Sequence, residues 1–324
     1  MRIGVALGSG GSAAMAQVGV LEELALQGIA VTCAAGTSGG AIVGAVFCSE
    51  RLPAFHEATC SLTRRQVLRL FDPTWPRFGM LEGRRAMEFL RPFVCDRIEE
   101  LPWPYAAVAV DLDTGLDMTL AKGEVLQAVR ASVAVPGIVT PQRWHGRSLV
   151  DGGIVNPVPV DVARELGADF VIAINVLPLA ESLPPQRPGP GARLLAPVLG
   201  LLSSNGAPHG SASQAPDDAG VEGLSPSERR SLMGVLLRAS HVAECQIATM
   251  RLRDDPPDFL LSVPVPQVGL FDFQRSAELI AAGRDAARES LASLRAALEH
   301  AEPAAHRLRR WIDAARNHGT PSAK

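Results

Sequence analysis

The first part of the chain alternates short apolar runs with glycine-rich turns. An apolar run within residues 2–7 ends in Gly-Ser-Gly-Gly, and a second run over 29–35 ends in Gly-Thr-Ser-Gly-Gly. Unbroken apolar runs of this length are typical of strands buried in a parallel sheet. The segment between them has helical spacing, with Ser12 as the expected N-cap and Gly28 as the end. This order predicts a right-handed unit of strand, helix and strand.

The helix expected after the second strand has no polar face. Residues 41–47 are all apolar, which predicts a helix in the centre of the protein. Further apolar runs predict strands over 105–110 and 170–176, a strand that ends at Asp151, and an edge strand over 259–263. We therefore expect an α/β protein with three α/β/α layers around a central, mostly parallel sheet.

Composition divides the chain into four parts. We expect the main core over 1–177, an insertion rich in Pro, Gly and Ser over 178–227, the remainder of the domain over 228–300, and a helical tail over 301–324. The insertion is interpreted as a mobile surface segment, with a lid over 193–202 as the alternative. The basic run in the tail is interpreted as a solvated helix face, with binding of anionic lipid as the alternative.

Charge and cysteine content exclude several classes of partner. The chain has 31 Lys and Arg residues against 34 Asp and Glu residues, so it lacks the positive field that nucleic-acid binding needs. Its five cysteines form no C-x-x-C pair and are interpreted as reduced thiols.

No segment has the roughly 20 apolar residues of a membrane span, and the N-terminus lacks a signal peptide's apolar core. We expect a cytoplasmic protein, in contact with membranes only peripherally, without metal or cofactor.

The two glycine turns suggest different chemistry. The first, G-x-G-x-x-A from Gly8, fits a dinucleotide fingerprint, but that fold expects an acidic residue about 20 positions further on. The second strand carries none and is followed instead by Gly36-x-Ser38-x-Gly40. G-x-S-x-G between a strand and a helix is the nucleophile-elbow pattern, in which small neighbours allow a sharp turn. The pattern favours Ser38 as a nucleophile over a nucleotide site.

An attacking serine needs a proton acceptor. The seven histidines offer no convincing partner, and His145, the nearest to a motif, is equally explained by a turn. Asp151 is expected at the carboxyl end of a parallel strand, where the catalytic groups of open α/β sheets gather. Asp111 and Asp113 follow another strand and compete for the role of base.

Four short blocks follow one another in the chain: LGSGG over 7–11, GTSGGA over 36–41, ASVAVPG over 131–137 and LVDGGIVNPVP over 149–159. Their order and composition resemble the patatin-like phospholipase family. The resemblance is strong over 1–177 and looser over 228–295. It implies a serine–aspartate dyad that hydrolyses acyl esters of phospholipids or lysophospholipids through an acyl-serine intermediate, without histidine or metal.

Carried over by position, the resemblance implies Ser38 as the nucleophile and Asp151 as the base. The backbone amides of Gly10 and Gly11 would form the oxyanion hole. The remaining implied site residues are Gly8 and Ser9, which shape the glycine loop, and Gly36 and Gly40 at the elbow. An acyltransferase or specialised esterase with the same dyad, and a lipid-binding relative without catalysis, remain open as alternatives.

Three positions depart from the usual pattern of that family. Where its glycine loop continues Ala-Arg-Gly, this chain has Ser-Ala-Ala over 12–14. The histidine that commonly follows is Gln17, and the alanine after the nucleophile is Gly39. The missing arginine is the reason why the alternatives to ordinary hydrolysis stay open.

Overall fold

The computed structural model describes residues 1–74, 79–178 and 232–301. The strands of these ranges are β1 (Ile3–Leu7), β2 (Val31–Thr37), β3 (Tyr105–Asp111), β4 (Asp117–Leu120), β5 (Gln142–Trp144), β6 (Arg147–Asp151), β7 (Phe170–Asn175) and β8 (Phe259–Ser262). The α-helices are α1 (Ala16–Leu26), α2 (Gly39–Cys48), α3 (Leu52–Cys60), α4 (Arg64–Arg69), α5 (Arg84–Leu90), α6 (Val125–Ser132), α7 (Val160–Glu165), α8 (Leu232–Asp254) and α9 (Ser276–Ala301). The predicted insertion and tail lie, apart from residues 178 and 301, outside the described ranges.

The strands form one eight-stranded sheet with the order β5-β6-β3-β2-β1-β7-β8, and β4 pairs with β3 beside this path. The five strands β3, β2, β1, β7 and β8 run parallel to one another. Strands β4 and β6 run antiparallel to β3, and β5 runs antiparallel to β6. The mostly parallel sheet is confirmed, and β8 is its last strand, as predicted for 259–263.

Apolar side chains cover both faces of the sheet. Along β1, Val5 and Leu7 belong to a large cluster on one face, whereas Ala6 belongs to a smaller cluster on the other. This alternation follows from the period of two in a strand. Helices α1, α2 and α9 contribute to the large cluster, and α7 and α8 to the smaller one. The three-layer α/β/α architecture is therefore confirmed.

Three helices, α1, α2 and α9, close the large cluster. Helix α2 is buried along most of its length, as its lack of a polar face predicted. Helices α1 and α9 approach so closely that a Cβ atom on Gly19 would collide with the Ile280 carbonyl oxygen, and one on Gly283 with that of Ala16. Glycine at both positions is thus required by the packing of α9 against α1.

The start of α1 differs from its prediction. Residues Gly11–Met15 form a 3-10 turn, and the α-helix begins only at Ala16. Ser12 is not an N-cap, because its hydroxyl donates a hydrogen bond of 2.8 Å to the carbonyl oxygen of Gly269. A contact with the segment between β8 and α9 replaces the local cap.

No helix in the described ranges has the length and apolar character needed to cross a bilayer.

Candidate active site

The nucleophile elbow lies between β2 and α2. Ser38 has φ 54° and ψ −121°, a conformation that is unfavourable for a residue with a side chain. A Cβ atom on Gly36 would collide with the backbone of Gly40, and one on Gly40 with the carbonyl of Leu7. The glycines at 36 and 40 are therefore needed for the turn that presents the Ser38 hydroxyl at the start of α2.

The hydroxyl of Ser38 donates a hydrogen bond of 2.6 Å to Oδ2 of Asp151. The other carboxylate oxygen, Oδ1, accepts a hydrogen bond of 2.8 Å from the backbone amide of Gly153. Both Ser38 and Asp151 are buried. One carboxylate is thus held in place by two donors, one of which is the hydroxyl that it would deprotonate.

The reason for expecting Asp151 at this place was wrong. Strand β6 runs antiparallel to β3, so Asp151 does not end a parallel strand. Register brings it to Ser38 instead: Asp151 pairs with Ala109, and in the parallel pair β2–β3 Thr37 pairs with Val108. Because β6 overlaps only the last residues of β3, its carboxyl end lies level with the end of β2.

Ser132, at the end of α6 and in the block over 131–137, supports the elbow. The backbone amide of Ser38 donates to the Ser132 hydroxyl at 2.8 Å, and this hydroxyl donates to the carbonyl of Val108 at 2.5 Å. The hydroxyl of Thr37 donates to the carbonyl of Asn156 at 2.8 Å. These bonds join the elbow to β3 and to the segment after Asp151.

The glycine loop after β1 contains the two residues that are expected to form the oxyanion hole, Gly10 and Gly11. The amides of its first residues are occupied, since that of Gly8 donates to Ile174 O at 3.0 Å and that of Ser9 to Pro157 O at 2.8 Å. The amides of Gly10 and Gly11 have no acceptor in the described part of the protein. Both glycines have positive φ, 154° and 55°, at the beginning of the 3-10 turn that leads into α1. Amides at such a position favour bound negative charge.

Two departures from the family pattern lie against each other. A Cβ atom on Gly39 would lie 2.5 Å from the Ala14 methyl group and 2.6 Å from the carbonyl oxygen of Gly11. The usual pattern has glycine where this chain has Ala14, and alanine where it has Gly39, and the methyl group of Ala14 occupies space that a Cβ atom at 39 would need. At the third departure, Gln17 Nε2 donates a bond of 2.6 Å to the carbonyl of Gly8 and holds the loop from behind.

A further acidic residue lies beside this site. Glu244 of α8 accepts a short hydrogen bond from the hydroxyl of Ser9. Its carboxylate also lies against Gly153, where a Cβ atom would collide with it. Sequence reasoning missed Glu244, because no motif surrounds it and it follows Ser9 by 235 positions.

Burial and charge set the proton affinity of the two carboxyls. Burial, together with the negative charge of Glu244, raises the pKa of Asp151 to about 7. The hydrogen bonds from Ser38 and the Gly153 amide act in the opposite direction. Burial also raises the pKa of Glu244, against the hydrogen bond from Ser9. A carboxylate with a pKa near neutrality is a far stronger base than an ordinary aspartate.

The competing candidates have other partners. Burial works to raise the pKa of Asp111, but the hydrogen bonds from Arg147 and the Asp113 amide outweigh it, and the pKa lies below its usual value. Asp113 is exposed. His145, with φ 45°, forms the turn between β5 and β6. None of these three has a hydrogen bond to Ser38 within the described ranges.

An apolar cavity of about 110 Å³ opens at Ser38. Besides Ser38, its wall includes Gly11 and Gly39. The rest of the wall is almost entirely apolar, with Ile42, Val67, Leu70, Phe71, Leu81, Ala86, Met87, Val133, Val135, Val139, Leu270, Phe271 and Phe273. The rings of Phe71 and Phe271 pack edge to face, with centroids 5.0 Å apart. A wall of this kind offers few hydrogen-bonding groups and favours contact with apolar groups.

Comparison with known proteins gives the class. A sequence profile described as Patatin-like phospholipase matches residues 5–164. An uncharacterized NTE family protein of Mycobacterium tuberculosis is 33% identical over 90% of this chain and 91% of its own length. Neuropathy target esterase sws of Drosophila melanogaster is 33% identical over 54% of this chain and 13% of its own length. The chain belongs to the patatin-like phospholipase family, a family of lipid hydrolases.

Two further matches differ in the share of each chain that they cover. Patatin-like phospholipase domain-containing protein 7 of Rattus norvegicus is 36% identical over 54% of this chain and 13% of its own length. Among solved structures, VipD from Legionella pneumophila aligns with 90% of this chain and 67% of its own, at 12% identity and a TM-score of 0.40.

Proposed function

We propose that this protein hydrolyses acyl esters of phospholipids or lysophospholipids through a dyad of Ser38 and Asp151. The observation that carries the proposal is the hydrogen bond of 2.6 Å between the Ser38 hydroxyl and the Asp151 carboxylate. It is supported by membership of a lipid-hydrolase family and by the apolar cavity that opens at the serine. No histidine or metal has a part in the proposed mechanism.

In the first half-reaction, Ser38 Oγ attacks the ester carbonyl carbon while Asp151 accepts the hydroxyl proton. The negative charge that develops on the carbonyl oxygen is stabilised by the amides of Gly10 and Gly11. The tetrahedral intermediate then breaks its bond to the lipid alcohol. Asp151 returns the proton to the departing alkoxide oxygen, and the acyl group stays on Ser38.

In the second half-reaction, Asp151 accepts a proton from a water molecule that attacks the acyl carbon. The resulting intermediate expels Ser38 Oγ, which takes the proton back from Asp151 as the fatty acid leaves. Throughout, the acyl chain occupies the apolar cavity, where burial of each methylene contributes about 0.8 kcal/mol. The polar head group stays outside, which fits a protein that meets its substrate at the surface of a membrane.

The experiment combines a fluorophosphonate probe with turnover of p-nitrophenyl esters and of lysophosphatidylcholine. The variants Ser38→Ala and Asp151→Asn are compared with wild type and with Ser293→Ala, an exposed serine on α9. We expect Ser38→Ala to lose labelling, and both dyad variants to lose at least about 10³-fold in kcat. Ser293→Ala should behave as wild type.

The same assay separates the alternatives. A wild-type protein that is neither labelled nor active would overturn the proposal in favour of a lipid-binding relative. If an added alcohol acceptor captures the acyl group in preference to water, the protein is an acyltransferase with the same dyad. The cytoplasmic location and the four-part division of the chain stay predictions.

A further inference from the structure

Helix α8 brings one carboxyl group to two segments of the candidate site, the glycine loop and the segment after Asp151. Glu244 accepts a hydrogen bond from the hydroxyl of Ser9, in the glycine loop. The same carboxylate lies against Gly153, whose amide donates to Asp151. Glu244 has no hydrogen bond to Ser38 or Asp151 within the described ranges, and it takes no part in the proposed bond-making steps.

We propose that Glu244 is a positioning residue, which holds the glycine loop through Ser9 and sets the electrostatic environment of the base Asp151. This inference rests on the proposed function, because it concerns the efficiency of the same dyad. It gives α8 a functional residue. No motif of the sequence connects this helix with the site.

Glu244 is connected with the expected oxyanion amides through Ser9. Ser9 directly precedes Gly10, and it is held twice: its amide donates to Pro157 O at 2.8 Å, and its hydroxyl donates to Glu244. Gly10 and Gly11 have the conformational freedom of glycine and no acceptor of their own within the described ranges. Loss of the side-chain tether at Ser9 would let these amides move away from the developing charge.

Glu244 also acts on Asp151 through its charge. The negative charge of Glu244 lies close enough to Asp151 to raise its pKa, adding to the effect of burial. The other titratable groups near Glu244 on α8 are Arg238, His241 and Cys245. Burial and the charge of Arg238 lower the pKa of His241 and favour its neutral form, whereas burial and the charge of Glu244 raise the pKa of the Cys245 thiol to about 12. Further along α8, Arg251 forms ion pairs with Asp117 and Asp161.

The strands next to Asp151 carry one more ion pair. Arg147 of β6 and Asp111 of β3 are bonded to each other, with Nη1 and Oδ2 2.5 Å apart. Glu244 is therefore the group whose removal should change the proton affinity of Asp151 most. A neutral glutamine at 244 removes the repulsion and lowers the pKa of the base.

The test measures the pH dependence of kcat/KM for Glu244→Gln, Glu244→Ala and Ser9→Ala. Glutamine keeps an oxygen acceptor for Ser9, so we expect its acid limb to move to lower pH, with a smaller fall in maximal kcat than in Glu244→Ala. Ser9→Ala loses the tether and keeps an ionisable group at 244, so kcat should fall about tenfold, with a smaller move of the acid limb than in Glu244→Gln. Asp254→Asn, an exposed carboxylate at the end of α8, is the matched control and should leave both unchanged.

The outcomes separate the two proposals. An unlabelled, inactive wild type refutes the proposed function itself. If the wild type is active but Glu244→Gln keeps the wild-type acid limb, and Ser9→Ala keeps the wild-type kcat, the inference about Glu244 is refuted. Circular dichroism and thermal unfolding check each variant, and if Glu244→Ala does not fold, the isosteric glutamine variant and Ser9→Ala still decide.

Discussion

The backbone amide of Ser38 donates a hydrogen bond of 2.8 Å to the hydroxyl of Ser132, which in turn donates a hydrogen bond to the carbonyl oxygen of Val108. All three groups are buried. A strained residue persists only where its surroundings stabilise the strain, and Ser132 is one such support for the positive φ of Ser38.

Ser132→Ala should therefore reduce both stability and activity. It leaves a buried amide and a buried carbonyl without their partner, at a cost of about 1–3 kcal/mol in the free energy of unfolding. We expect kcat to fall about tenfold through relaxation of the elbow. Urea denaturation and ester turnover measure the two effects. Ser293→Ala on the exposed face of α9 is the control, and a Ser132→Ala protein with wild-type stability would contradict the assignment.

The buried Asp151 should make the protein less stable as pH rises. Its pKa of about 7 in the folded state lies above that of an unfolded aspartate, so between about pH 4 and pH 7 the folded state binds more protons. Stability from this group is complete below the unfolded pKa and is lost as pH rises through the folded one. The difference in Tm between Asp151→Asn and wild type should accordingly grow from pH 5 to pH 8. A difference independent of pH would contradict the raised pKa.

The same carboxyl predicts the pH dependence of the reaction. Asp151 must be unprotonated to accept the Ser38 proton, so kcat/KM should rise with pH and reach half of its plateau near pH 7. Initial rates with a soluble ester over pH 5 to 9 measure this limb. A plateau already complete at pH 5 would show that the base has an ordinary aspartate pKa.

Ala14 and Gly39 should be energetically coupled. Gly39→Ala places a methyl group 2.5 Å from that of Ala14 and 2.6 Å from the Gly11 carbonyl oxygen, which should destabilise the elbow and displace the glycine loop. Adding Ala14→Gly removes the first collision and should recover part of the activity and stability. A double-mutant cycle in urea is expected to give about 0.5–3 kcal/mol of coupling. If the effects of the two substitutions on the free energy of unfolding are simply additive, Ala14 and Gly39 are not coupled and the prediction is wrong.

Gly11→Ala tests the amides of the glycine loop. A side chain at φ 55° is strained, and its Cβ would lie 2.5 Å from Leu270 Cδ1, so the amide should turn away from the site. We expect kcat to fall by about 10²–10³-fold, the usual cost of one oxyanion donor. Gly28→Ala is matched for strain, with φ 72°, but has open space around it. A loss of activity that is equal in both variants would refute a local role for Gly11.

Ala86→Phe tests the cavity. The ring would fill space that an acyl chain occupies in the proposed complex, and the loss of room for about two methylenes corresponds to roughly 1.6 kcal/mol. We expect kcat/KM to fall about tenfold for long-chain esters and to change little for short ones. Glu88→Phe, an exposed position on the same helix, is the control. Equal losses for all chain lengths would show that the chain does not bind there.

Much of the local structure could be predicted from the sequence. The apolar runs identified β1, β2, β3 and β7, and the unbroken apolar stretch after Ser38 identified the buried helix α2. The glycines of the elbow were equally predictable, because a sharp turn between strand and helix leaves no room for side chains. Ser12 failed as a cap because a distant carbonyl, that of Gly269, competes successfully for its hydroxyl.

The relations between distant segments could not be predicted in the same way. Asp151 was expected for a reason that proved wrong, since an antiparallel strand delivers it. Glu244 was not expected at all, because a glutamate in a helical segment carries no signal of the loops that it will meet. Both depend on strand direction, register and helix docking, which arise from contacts across the whole chain.

The sequence by itself determined the kinds of element and the positions where backbone conformation demands glycine, because these properties depend on neighbours within a few residues. Only the tertiary structure decided that the hydroxyl of Ser38, the carboxyl of Asp151 and the carboxyl of Glu244 share one buried site. Their proximity, and the raised proton affinity that follows from it, come from the exclusion of water by segments far apart in the chain.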